Sequence, residues 1–140
     1  MKHKWVELAM RLAEAAALTS NDKYHKVGSA ALRKDGSVCG VGYNGQPPGI
    51  ELNFKELYDR DYRRILTVHA ESNALAYCKP EEPHLLATTL PPCDRCIVEA
   101  ARYGVKIIVC RPCKDDSHVP NFDLCKRLNI DMKVIRLEIV

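Results

Sequence analysis

Long apolar runs are missing from this chain, and with them any stretch that would read as a membrane-spanning helix. The opening residues Met1-Lys-His-Lys-Trp5 lead into a helical pattern that Glu and Arg interrupt, which is not the form of a secretion signal. Low-complexity tracts and Gly/Ser linkers are absent too, so nothing marks a boundary between domains, and a single domain over residues 1–140 is expected. A large charge of either sign is also lacking. Lys and Arg number 21 against 18 Asp and Glu, a formal net charge of +3, and the basic residues are scattered rather than gathered in a stripe. Such a surface argues against a nucleic-acid partner, whereas a small anionic ligand needs only one or two cations. The spacing of a disulfide framework is the last absence. Seven cysteines is an odd number without the pattern of a secreted domain, which implies the reducing cytoplasm of a cell, or of a host cell for a viral chain. With 46% hydrophobic residues the chain can still bury a substantial core.

What is present is a set of soft metal ligands. His69-Ala70-Glu71 is followed, twenty-four positions after the histidine, by Cys93-Asp94-Arg95-Cys96, with Pro91-Pro92 directly before it. One imidazole and two thiolates make a three-ligand zinc site with the fourth position open, the arrangement of a catalytic ion. Glu71 then lies beside the metal without having to bind it, where a proton shuttle belongs. A Cys-x-x-Cys pair alone could be a redox couple or half of a structural zinc knot. The matched His-x-Glu and the preceding Pro-Cys argue for the catalytic reading. Cys110-Arg-Pro-Cys113 with His118 and Cys125 is a candidate for a second, structural site, although Cys110 ends an apolar run and reads equally well as core. Cys39 and Cys78 lie on apolar runs and read as core.

The elements alternate. Lys2 to Leu18 has helical spacing, with Trp5, Leu8, Leu12 and Ala15 as its packing stripe. Two short apolar runs, 26–33 and 37–43, flank Lys34-Asp35-Gly36, a hairpin signal that makes them antiparallel neighbours. Asn44-Gly-Gln-Pro-Pro-Gly49 is a rigid loop, and the polar stretch to Arg64 holds a short helix near residues 52–59. A helix that opens at His69 is predicted next, then a strand at 85–90, a helix from Cys93 to Tyr103, a strand at 105–110, a helix at 121–128 and a strand at 132–137. Two helix N-termini would meet at the ion, and their dipoles favour thiolate at Cys93 and Cys96. Strand, helix, strand, helix, strand at this spacing indicates crossover units, hence an α/β fold with a partly parallel sheet between helix layers.

On these residues the chain resembles the cytidine and deoxycytidylate deaminase superfamily, and within it the deoxycytidylate deaminases. The likeness runs from Val27-Gly28-Ser29-Ala30 through Gly42-Tyr43-Asn44-Gly45-Gln46-Pro47-Pro48-Gly49 and the two metal motifs to the strand at Val105. It implies a three-layer fold with a mixed five-stranded sheet, a Zn2+ cofactor on His69, Cys93 and Cys96, and hydrolysis of dCMP to dUMP and ammonia with Glu71 as the acid/base, supplying thymidylate synthesis. It further implies that the backbone at Ala70 meets the pyrimidine edge, that the Pro91 carbonyl receives the exocyclic amine and that Asn44 contacts the sugar. A basic residue before Val27 would read the 5′-phosphate; Lys26 is the candidate, with Lys23 and His25 beside it. The resemblance also implies a homo-oligomer, dimer or hexamer, and dCTP and dTTP effectors with Mg2+ at a regulatory loop of Gly42, Tyr43, Gly45 and Gly49. The short span from Gly49 to His69 lacks the cysteine-bearing insertion of some viral relatives, which argues against an extra zinc there. Rival substrates are tRNA or single-stranded DNA, free cytidine or deoxycytidine, and C5-modified dCMP. A non-catalytic zinc module is the other alternative, which the retained Glu71 disfavours.

Overall fold

Alternation of side chains across one sheet organises the molecule. The computed structural model describes residues 1–136. In chain order the elements are α1 (His3–Ala17), β1 (Gly28–Leu32), β2 (Val38–Tyr43), α2 (Phe54–Tyr58), α3 (Arg60–Leu66), α4 (Ala70–Leu75), β3 (Leu85–Thr88), α5 (Asp94–Arg102), β4 (Ile107–Cys110), α6 (Phe122–Arg127) and β5 (Asp131–Val134). The five strands lie in the order β2-β1-β3-β4-β5, antiparallel from β2 to β3 and parallel from β3 to β5. The expected mixed sheet is therefore observed, although the last strand is shorter than the 132–137 predicted, and Leu137 lies outside the described residues.

Strand residues of one parity face α1. Ala30, Leu32, Leu85, Ala87 and Val109 form one buried cluster with Ala9, Met10 and Ala13 of that helix. The opposite parity, Ala31, Leu86, Ile108 and Met132, packs with Leu75 of α4, Ile97 and Ala100 of α5 and Cys125 of α6. A period of two in the strands thus produces two cores, one on each side of the sheet. The buried residues of α1 are Ala9, Met10, Ala13, Ala16 and Ala17; of the expected stripe, Trp5 and Leu12 pack partly buried against the same cluster, while Leu8 and Ala15 are exposed. Backbone proximity explains the difference. A Cβ on Gly28 would lie 1.8 Å from the Ala13 carbonyl oxygen, so α1 sits too close to β1 for leucines, and its alanines face the sheet.

The same close approach recurs across the other face. β2 carries Gly40 and Gly42, and a Cβ at either would come within 2.1 Å of the Ala74 carbonyl oxygen or 2.5 Å of the Ala74 nitrogen. These two glycines let α4 lie directly on β2, which sets where α4 begins. The stretch after Tyr43 is more ordered than its polar composition suggested. Asn53 and Glu56 form a reciprocal capping box that starts α2, and the Asp59 side chain accepts from the Tyr62 amide to start α3. No helix among the described residues is long and apolar enough to cross a membrane.

Candidate active site

Both ligand-bearing helices begin at the same place. His69 is the N-cap of α4 and Cys93 the N-cap of α5, each in extended backbone conformation just before the helix starts. Cys96 and Glu71 then fall in the first turns of α5 and α4, and both are buried. The crossover from β3 through α5 to β4 puts this point at the carboxyl end of β3, beside the change from antiparallel to parallel pairing. Open sheets bind ligands at such a point. Ser72 of α4 donates to Glu99 of α5 at 2.6 Å, so the helices are joined beside the site as well as through it.

The imidazole Nδ1 of His69 is 3.3 Å from Cys96 Sγ and 3.5 Å from Cys93 Sγ. The three donor atoms all lie within 4.8 Å of one another. Donors around a tetrahedral zinc, each roughly 2.0 to 2.3 Å from the ion, stand at about this separation, so the residues present fit the metal. The electrostatics agree. Burial, then the charges of Glu71 and Cys93, hold the Cys96 thiol far above its usual range, so a cation is what would make it a thiolate. Burial also pushes the Glu71 carboxyl upward, while its own amide, His69 and Cys96 pull the other way.

A cavity of about 280 Å³ opens over these groups, close to the lower bound of small-molecule sites, roughly 300 Å³. His69, Ala70, Glu71, Pro91 and Cys93 line its floor, and Asn44 lines its wall. Asn44 is buried and already engaged: Oδ1 accepts from the Val27 amide at 2.9 Å and from Ser20 Oγ at 2.7 Å, and Nδ2 donates to the His25 carbonyl at 2.8 Å. One amide hydrogen is left for a ligand. The principal effect of Asn44 is to fix the loop over residues 20–27 as part of the cavity wall.

Of the cations expected, only His25 lines the cavity. Lys26 and Lys23 are not among the residues lining the cavity, whereas His25, Arg60, Arg63, Arg64 and His118 are. Arg63 is buried in an ion pair with Asp22, whose other carboxylate oxygen accepts from the Tyr24 and His25 amides. The Arg60 guanidinium lies 4.6 Å from the Tyr24 ring centre and is exposed at the rim. The His25 and His118 rings meet edge to face at 5.7 Å. The arginines escaped the sequence reading because α3 was taken as part of a polar loop. The Asp59 cap, with Arg60, Arg63 and Arg64 at helical spacing after it, is the signal that would have found them.

The suggested regulatory residues have structural duties. Gly42 is packed against α4; the Tyr43 carbonyl accepts from Asn73 Nδ2 at 2.7 Å; Gly45 exchanges two backbone hydrogen bonds with Val68. Gly49 is exposed with φ +87°, a conformation that favours glycine. None of the four lines the cavity. Nor do Cys110, Cys113, His118 and Cys125 assemble a second metal site, since no such donor cluster occurs among the described residues. Cys110 and Cys125 are buried, with the Cys110 thiol pushed up to about 12 by burial, while Cys113 sits in a turn facing Asp115.

Comparison with known proteins points one way. The family model for the cytidine and deoxycytidylate deaminase zinc-binding region matches residues 3–115. The deoxycytidylate deaminase of Mycobacterium phage D29 is 34% identical over 121 residues, covering 75% of this chain and 92% of the phage protein. A deaminase of Aliivibrio fischeri, itself uncharacterised, is 29% identical over 111 residues, 79% of this chain and 74% of its own. Among solved structures, the dCMP deaminase of cyanophage S-TIM5 in complex with dCMP and dUMP superposes with a TM-score of 0.77 at 30% identity, over 96% of this chain and 99% of that one.

If the three donors hold zinc, Cys93→Ala and Cys96→Ala should each weaken its binding by at least about tenfold and lower the unfolding temperature, because the ion ties two helices together. Metal analysis after dialysis checks this. Undiminished, tightly held zinc in both variants would place the site elsewhere.

Proposed function

This chain belongs to the cytidine and deoxycytidylate deaminase family, and from that premise we propose that it is a zinc-dependent hydrolase converting dCMP to dUMP and ammonia. The observation that carries the reading is the cavity itself, lined by His69 and Cys93 of the His/Cys/Cys donor set, by the buried Glu71 and by arginines. One end suits a neutral base and the other a phosphate. The dCMP deaminases of the two phages support the substrate.

His69, Cys93 and Cys96 would hold the zinc. Bound there, the ion supplies a Lewis acid at which water ionises near neutral pH. Every proton movement falls to Glu71, whose carboxylate takes one proton of the attacking water and delivers it to the ring N3, then takes the remaining hydroxyl proton at C4 and delivers it to the departing amine as the C4 carbonyl forms and the C–N bond breaks. Ala70 and Pro91 line the same cavity, which supports the reading that the Ala70 amide orients the pyrimidine edge and the Pro91 carbonyl receives the amine. At the mouth, Arg60, with Arg64 and His25, replaces Lys26 as the reader of the 5′-phosphate, while Arg63 is held by Asp22 and shapes the wall.

α2 and α3 leave Phe54 and Ile65 nearly four-fifths exposed. Such exposed apolar side chains support a homo-oligomer in which a neighbouring copy closes the cavity against water. The seven free thiols support a reducing compartment such as the cytoplasm of the cell or host cell.

Glu71→Gln should retain zinc and fold yet lose roughly a hundredfold or more in turnover. A zinc-loaded variant with full activity would refute the mechanism. Substrate preference gives an independent check: dCMP should be deaminated far more efficiently than deoxycytidine. Arg60→Ala should cost roughly tenfold to a hundredfold in kcat/KM on dCMP with little effect on deoxycytidine, and Lys26→Ala should change neither appreciably. Equal efficiency on nucleoside and nucleotide would move the substrate to the nucleoside. Light scattering at micromolar concentration should find an oligomer, and a fully active monomer would contradict that assembly.

A further inference from the structure

α4 has metal-binding chemistry at both ends. Three residues beyond its far end, Cys78 meets Cys39 of β2 and Glu82 of the turn before β3. Their three ligand atoms lie within 4.8 Å of one another, and Cys39 Sγ is 3.0 Å from Glu82 Oε1. Among the described residues, only this set and His69, Cys93 and Cys96 bring three such donors together. Two sulfurs on a tetrahedral zinc stand about 3.8 Å apart, from a Zn–S distance of roughly 2.3 Å. A small contraction is all the cluster needs.

We propose that Cys39, Cys78 and Glu82 form a second metal site, for a thiophilic divalent cation such as zinc, with a water completing the coordination. Binding releases two protons, one from each thiol, and the cation with two thiolates and one carboxylate carries a net charge of −1. Arg33 is in place to balance it, its guanidinium 3.5 Å from the Glu82 carboxylate and partly exposed. Two thiols and a carboxylate converging from three stretches of chain are the donor set that a thiophilic divalent cation takes.

The site has a structural consequence. The seam between β2 and α4 is a close backbone approach at Gly40 and Gly42. An ion on Cys39 and Cys78 would clamp that seam at the Cys78 end, as the ion at His69 clamps the other end.

The test is a cadmium titration of the metal-stripped full chain, in a phosphine reductant, followed by sulfur-to-cadmium charge-transfer absorption. The wild-type chain should bind two equivalents, and Cys39→Ser and Cys78→Ser one each, the remaining equivalent belonging to His69, Cys93 and Cys96. Glu82→Gln should weaken the second equivalent by about tenfold. Zinc-loaded Cys39→Ser should deaminate dCMP at the wild-type rate within about twofold, and Cys96→Ser should keep the equivalent that Cys39→Ser loses. If Cys78→Ser fails to fold, the half-buried Cys39 and the exposed edge of Glu82 still carry the test. A single equivalent in the wild type would overturn the site, as would a second equivalent unaffected by Cys39→Ser. So would peptide mapping that finds a Cys39–Cys78 disulfide in a chain that binds only one cation.

Discussion

Three soft donor atoms from stretches of chain twenty-four residues apart must meet within a few ångströms, and much of the fold serves that convergence. Thiols in a buried pocket resist ionising, and the Cys96 thiol is held far from it by burial and by the neighbouring carboxylate. The donors are therefore useful only if a cation compensates them, and a cation is held firmly only if the helix starts carrying them cannot drift apart. Each helix start is pinned from behind. Gly40 and Gly42 let α4 press onto β2, and the crossover from β3 to β4 delivers α5 to the same end of the sheet. The hydrogen bond from Ser72 to Glu99 then ties the helices to each other.

The wall opposite the donors is built from polar groups that hold one another. Asn44 fastens the segment from Ser20 to Val27, Asp22 fastens Arg63, and Tyr24 offers its hydroxyl to the Tyr58 carbonyl at 2.9 Å and its ring to Arg60. A loop, two short helices and a strand end thereby become one surface. Buried polar groups satisfied in this way are rigid, which gives a small cavity a defined shape despite so little regular structure around it. Charge follows the same division. Arg63 is neutralised inside the wall, while Arg60 and Arg64 remain at the rim, where a screened but accessible guanidinium can meet an anion.

Much of this was legible in the order of residues. The strands showed as apolar runs, the hairpin as Asp35-Gly36, the crossover units as alternating periods, and the donor set as two motifs at a telling separation. Three things were not. The buried residues of α1 differ from the expected stripe because Gly28 lets the helix approach the sheet more closely than leucines allow, a fact about distance between elements rather than about either element. α3 was hidden because Asp59 both ends α2 and caps α3, leaving two helices of five and seven residues without a full amphipathic repeat. Cys39 and Cys78 looked like core because each lies in an apolar run; that they face each other and Glu82 depends on the packing of β2 against α4.

By itself the sequence determined the chemistry available here. Ligand types, their spacing, the adjacent glutamate and the turn residues are local properties, and local chemistry is written in the chain directly. Only the tertiary structure decided which charges face the cavity. Lys26 and Arg60 are both exposed basic residues, and although the Asp59 cap marks a helix start at Arg60, nothing along the chain says that this helix faces the cavity. The distinction arises because Arg60 is carried by a helix that docks on Tyr24 and Asp22 across the cavity mouth, whereas Lys26 is not among the residues that line it. Electrostatic recognition depends on distance and direction through space, and those exist only once the chain has packed.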